Sequence, residues 1–277
     1  MIYIRSGWSL VKKQLPSIII LFLYQLLWGL FLYRLVNSVV MEVLVRYPDP
    51  PPNPLSQPLF LLEGQYELKH GADFRFYLWL LLGMTLIRLL ITPLLQAGIL
   101  YGLTPKEERK SGLPLFRGMR EFWKPVSIFL FIELILISLP LYWVLPHIQS
   151  LLPYLLHSGA IQISIIVRIS AYLLAWLLYC WFIDQCLLFA QFGYLFKRGV
   201  WSSILIGIRY MLQGAAISLI LGGIVLALFL IFGSVSWIWT GILALILQQS
   251  YPFIRSFFRV WEVTSQFQLW EMKSQKG

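Results

Sequence analysis

The stretch QGAAISLILGGIVLALFLIF, Gln213–Phe232, runs for twenty positions without an ionisable side chain. At about 1.5 Å of rise per helical residue it covers roughly 30 Å, the hydrocarbon thickness of a bilayer. A helix that is apolar on every side has no face to offer water. The rest of the chain carries the same signature. Hydrophobic residues make up 59% and charged residues 12%, against roughly 25% charged in soluble domains. Mean hydropathy is +0.75. Too little charge is present to coat a soluble globule of 277 residues.

Working outward from that stretch, five more apolar runs define the fold class: an all-α polytopic membrane protein with six transmembrane helices. The chain reads as a single integral membrane domain over 1–277, with spans at about 17–35, 74–101, 125–145, 163–196, 213–232 and 236–251. Pro93 is expected to kink the second span, and Asp73 to cap its start. The connection from Val36 to Asp73 holds Pro48, Pro50, Pro51, Pro52 and Pro54, which favour an extended polyproline path. Residues 146–161 read as an outer loop, and Gly233 and Ser234 as a tight turn.

Amphipathic segments lie between the spans. Ile4, Trp8, Val11 and Leu15 share one helical face, and Leu115, Phe116, Met119, Phe122 and Trp123 share another. Phe253, Phe257 and Trp261 line one side of the tail. Each is expected to lie along the headgroups.

Lys and Arg set the orientation. Arg5, Lys12 and Lys13 precede the first span, and six basic residues sit between spans two and three. Lys197 and Arg198 follow span four, and four basic residues follow span six. The loop 146–161 and the turn at Gly233 carry none. Both termini are therefore expected in the cytoplasm. A cysteine placed at Pro51 should react with an impermeant thiol reagent added outside the cell, and one at Lys110 should not. The reverse labelling pattern rejects this topology.

The net charge of +10 flanks apolar runs instead of forming a stripe, so it implies anionic lipid as partner and no nucleic acid. The expected partners are the lipid bilayer and other membrane proteins.

Span two leads through a basic elbow with Gly118-Met119-Arg120 into span three. Span four leads through Gly199 and Gly207-Ile208-Arg209 into span five. The two units suggest an internal repeat. Thr92-Pro93-Leu94-Leu95-Gln96-Ala97-Gly98-Ile99-Leu100-Tyr101-Gly102 with Phe116-Arg117-Gly118-Met119-Arg120-Glu121-Phe122-Trp123 forms one half of a pattern. Asp184 in an apolar helix with Lys197-Arg198-Gly199-Val200-Trp201-Ser202-Ser203 forms the other. Together they resemble the six-helix membrane domain fused to some bacterial glycerophosphodiester phosphodiesterases, and related stand-alone bacterial membrane proteins. The likeness covers spans two to five. It implies a bacterial cytoplasmic membrane and a fold. The phosphodiesterase catalytic domain is absent, so no activity follows.

Charges within apolar runs are costly and suggest a role. Asp184 and Arg88 each lie about 20 Å from the inner ends of their spans, too deep to snorkel. They are expected to pair as a structural bridge, to form a substrate or proton site, or to make no contact at all. Glu133 lies about 12 Å past Pro125. Arg209 is its candidate partner, or else belongs in the headgroups. Gln96, Gln185, Gln191 and Gln213 suit hydrogen bonds between helices. Gly214, Ser218 and Gly222 form a small-residue stripe for helix packing.

Cys180 and Cys186, six apart on one helix, point in different directions and read as packing residues. His70, His147 and His157 lack metal-ligand spacing. No catalytic motif, metal site or cofactor signature occurs. The leading expectation is a non-enzymatic accessory subunit, scaffold or assembly factor. The alternative is a transporter or lipid-handling protein with a polar site around Asp184 and Arg88. A cavity reaching Asp184 favours the second, and a dry core the first.

Overall fold

The computed structural model describes residues 2–46, 72–104, 114–157, 163–238 and 242–275. Side chains at 39–46, 72–74, 151–157, 236–238, 242–246 and 248 lie outside the description. Apart from a few turn residues, the described residues are helical: α1 Ile2–Lys13, α2 Leu15–Arg46, α3 Ala72–Tyr101, α4 Pro114–Glu121, α5 Trp123–His157, α6 Ile163–Leu195, α7 Val200–Arg209, α8 Met211–Ile238 and α9 Ile242–Ser274.

Five of these contain stretches long and apolar enough to cross a membrane: Leu15–Ser38, Arg75–Tyr101, Trp123–Ser150, Ile163–Leu195 and Met211–Val235. Their apolar side chains face outward, as at Leu219 and Leu226, 74% and 59% exposed. Surface of this kind marks faces held against lipid or against another protein.

The helices overrun several expected ends. α2 continues to Arg46, and α3 begins at Ala72, so Asp73 lies inside the helix instead of capping it. Residues 146–157, expected as loop, extend α5 to His157; His147 packs there at 4.7 Å from Trp143 and 5.8 Å from Tyr172. α8 runs through Gly233 and Ser234 to Ile238, because a lone glycine costs a helix only about 1 kcal/mol. The polyproline segment, Lys110 and His70 lie outside the described residues, as does the His157 side chain. Residues 239–241 of the expected sixth span do so too.

Packing divides the chain into two units. One joins Met1–Ile18 with Pro93–Gly277, and the other is Ile19–Thr92. The second unit holds most of α2 and α3, and in it the Arg88 guanidinium lies over the Trp28 ring, 5.5 Å from its centroid.

The core of the first unit is built on α9. Pro252 sits inside this helix, and the segment beyond it is among the most buried of the described residues. Val260 and Leu269 are fully covered, and Trp270 is 1% exposed. The tail expected to lie along the headgroups is thus the element that α1, α6, α7 and α8 all pack against. Gly7 of α1 presses against Ser265, Thr264 Oγ1 donates to the Gly7 carbonyl at 3.3 Å, and Trp261 Nε1 donates to the Ile4 carbonyl at 2.9 Å. Trp8 packs on Trp261 and Phe257 at 4.6 and 5.3 Å. The apolar stripe of α1, read as lipid-facing, faces protein.

Both elbows lock through glycine. A Cβ on Gly118 would lie 2.6 Å from the Ala97 carbonyl and 2.7 Å from the Gly98 Cα, so α4 meets α3 backbone to backbone. Gly193 meets Ser203 and the Gly199 carbonyl in the same way. Between them the chain turns sharply: Lys197 (φ 55°) and Gly199 (φ 92°) are left-handed, and the Arg198 N–H closes on the Gly193 carbonyl at 3.0 Å. That bond satisfies a helix-end carbonyl otherwise left without a partner.

Candidate functional site

A cavity of about 380 Å³ opens within the first unit, in the size range of small-molecule sites, roughly 300–1,000 Å³. α9 supplies Arg255, Phe258, Arg259, Glu262, Val263 and Gln266 to its wall. Their spacing of three and four places them on one helical face. α6 adds Asp184, Gln185, Leu188 and Gln191, a second such face. Glu133 comes from α5, Gln96, Ile99 and Leu100 from α3, and Leu221, Gly222 and Val225 from α8.

The wall therefore mixes three carboxylates, two guanidinium groups, four amides and aliphatic carbon. The charge of Arg259 bears on Glu133, Asp184 and Glu262 alike. Burial pushes the Glu262 carboxyl above the usual carboxylate range. A hydrogen bond from the Ser218 hydroxyl opposes the rise, the Asp184 charge adds to it, and Arg259 counters it. Ser218 Oγ also accepts from Gln266 Nε2 at 3.0 Å. Gln266 is 1% exposed, and its Oε1 is buried with no partner among the described residues. An unmet buried acceptor costs about 1–3 kcal/mol.

The structure brings Glu133 and Asp184 to one chamber, where the cationic wall is Arg255 and Arg259. Arg88 stands in the other unit, over Trp28. Arg209 is exposed and lies over Tyr210 at 5.8 Å. The small-residue stripe separates into three roles. Gly214 is buried, and a Cβ there would stand 3.3 Å from Gln185 Oε1. Ser218 is a hydrogen-bond hub. Gly222 has no described atom within 4 Å of a built Cβ and borders the cavity, so it is not a close helix contact. Cys180 and Cys186 are free and half-buried. Among the described residues no group of three or more His, Cys, Asp or Glu is arranged to hold a metal ion.

The sequence does not single out Arg255, Arg259, Glu262 and Gln266, because polar residues opposite an apolar face are ordinary in a segment read as lying along the headgroups. Their recurrence at helical spacing was the available signal. A second signal lies in the paired motifs Gln96-Ala97-Gly98-Ile99-Leu100-Tyr101 and Gln191-Phe192-Gly193-Tyr194-Leu195-Phe196. In each, the glutamine faces the cavity and the glycine two residues on receives an elbow.

Fold and chamber together define a multi-pass membrane protein, helical among the described residues, with an open polar cavity between its helices. Comparison with protein-family models, with curated proteins and with solved structures returns no match.

Proposed function

We propose that this protein is a transporter or lipid-handling protein that admits a small polar or amphipathic ligand to the chamber around Asp184. The observation carrying the proposal is the cavity itself. A scaffold is best served by a dry, fully packed core, since voids and unpaired charges both cost stability. Here two arginines and three carboxylates face open space instead of being packed out. The paired glutamine–glycine motifs add support, because transporter sites recur where internal repeats meet. The proposal includes a bacterial cytoplasmic membrane, a sixth crossing by α9 and both termini inside, on the distribution of Lys and Arg and the family resemblance. It includes no chemical reaction.

Water access tests it. In a background with Cys180 and Cys186 replaced by alanine, Gly222→Cys should fold, since a built Cβ meets nothing. It should react with a small charged methanethiosulfonate on the order of tenfold faster than Leu219→Cys, 74% exposed on the apolar outside. The reagent needs a hydrated thiolate, which lipid suppresses. Equal, slow reaction at both positions rejects a ligand-accessible chamber.

A further inference from the structure

We propose that the chamber takes a zwitterion, a ligand carrying an ammonium-type cation and a carboxylate or phosphate on a short apolar body. This rests on the ligand-handling reading and specifies its substrate class.

Both signs of charge face the same space from different helices. Glu133 and Asp184 project from α5 and α6, while α9 carries both Arg255 and Arg259 and a third carboxylate, Glu262. Arg259 acts on both carboxylates through its charge, with no direct ion pair closed among the described residues. Asp184, Arg255 and Arg259 line that space and are each exposed, whereas charges kept only for stability favour close, well-aligned pairing. Charges held apart across a void are instead complementary to a ligand that brings both signs. A guanidinium fork matches a carboxylate or phosphate through two parallel hydrogen bonds. A plain cation would meet the arginines and a plain anion the carboxylates, so each is selected against. Gln266, 1% exposed in the same wall, holds a buried acceptor with no partner among the described residues. Phe258 supplies an apolar surface beside it.

The chemistry has two sources, a free amino-acid-like solute and the headgroup of a zwitterionic lipid. Calorimetric titration of the full chain in phosphatidylglycerol nanodiscs separates them with four probes: leucine, isopentylamine, isocaproate and glycerophosphoethanolamine. Isopentylamine and isocaproate are leucine without its carboxylate and without its amine. At least one zwitterion should bind on the order of tenfold more tightly than either single-charge probe. Leucine binding points to a free solute, and glycerophosphoethanolamine binding alone points to a headgroup. Arg259→Gln should weaken the zwitterion by a similar factor and leave isopentylamine equal or tighter, with Arg259→Lys partly restoring it. Arg255→Gln is the second variant should Arg259→Gln not fold. Isopentylamine binding as tightly as leucine overturns the proposal, as does no zwitterion binding at all. Fast labelling at Gly222→Cys together with either result would reject the zwitterion class while leaving the ligand-handling reading intact.

Discussion

Trp270→Ala should destabilise the protein by about 3–5 kcal/mol, the usual cost of truncating a buried tryptophan. The ring is 1% exposed and packs against Phe192, Phe196 and Phe267 at 5.8, 5.7 and 5.7 Å. Its indole N–H donates to Ser203 Oγ at 3.0 Å, and Arg198 lies 5.7 Å above it. The substitution therefore opens a cavity where α6, α7 and α9 meet, and removes the donor to Ser203, whose hydroxyl keeps its bond to the Gly199 carbonyl at 2.9 Å. In detergent the expected fall in melting temperature is roughly 6–20 °C by the usual scaling for a chain of this size. Trp201→Ala, at a site 79% exposed, should move it by no more than about 2 °C, as surface substitutions do. A Trp270→Ala protein melting with the parent would mean that the tail is peripheral.

The second large effect is expected at an elbow. Gly118→Ala places a methyl group 2.6 Å from the Ala97 carbonyl oxygen. The obstacle is backbone, so no rotamer change relieves it, and overpacking of this kind typically costs about 1–3 kcal/mol or more. Gly222→Ala makes the same chemical change where nothing stands within 4 Å. There it should be neutral, or stabilise by up to about 1 kcal/mol through helix propensity. Paired thermal melts read the contrast directly. Equal responses at the two glycines would show that the α3–α4 contact is looser than the geometry requires.

These two predictions mark where the sequence was readable. Long apolar runs are a one-dimensional signal, and the five crossing helices follow from them. Their ends do not, because Gly233 and Pro146 weigh against helix only locally while neighbouring residues favour continuing it. Glu133 and Asp184 stood out because a carboxylate is conspicuous among leucines. Arg255, Arg259 and Glu262 did not, because charges in a tail are ordinary. The burial of α9 was hidden for a related reason. Ser256, Thr264, Ser265 and Gln266 are each no more than 1% exposed, yet a hydropathy scale counts them as wet. Small and hydroxyl-bearing residues instead allow close helix approach with side-chain hydrogen bonds. Partner choice among helices is set by shape, which periodicity does not encode.

The embrace of α1 by α9 bears on how the chain is made. Trp261 hydrogen-bonds to Ile4 across a separation of 257 residues. At about 5–20 residues per second of synthesis, α1 exists for roughly 13–50 seconds before its partner leaves the ribosome. During that interval Trp8 and Val11 have no protein surface to cover them. The lipid interface is the natural holding place for such a helix. Assembly of the first unit then waits until α9 has been translated.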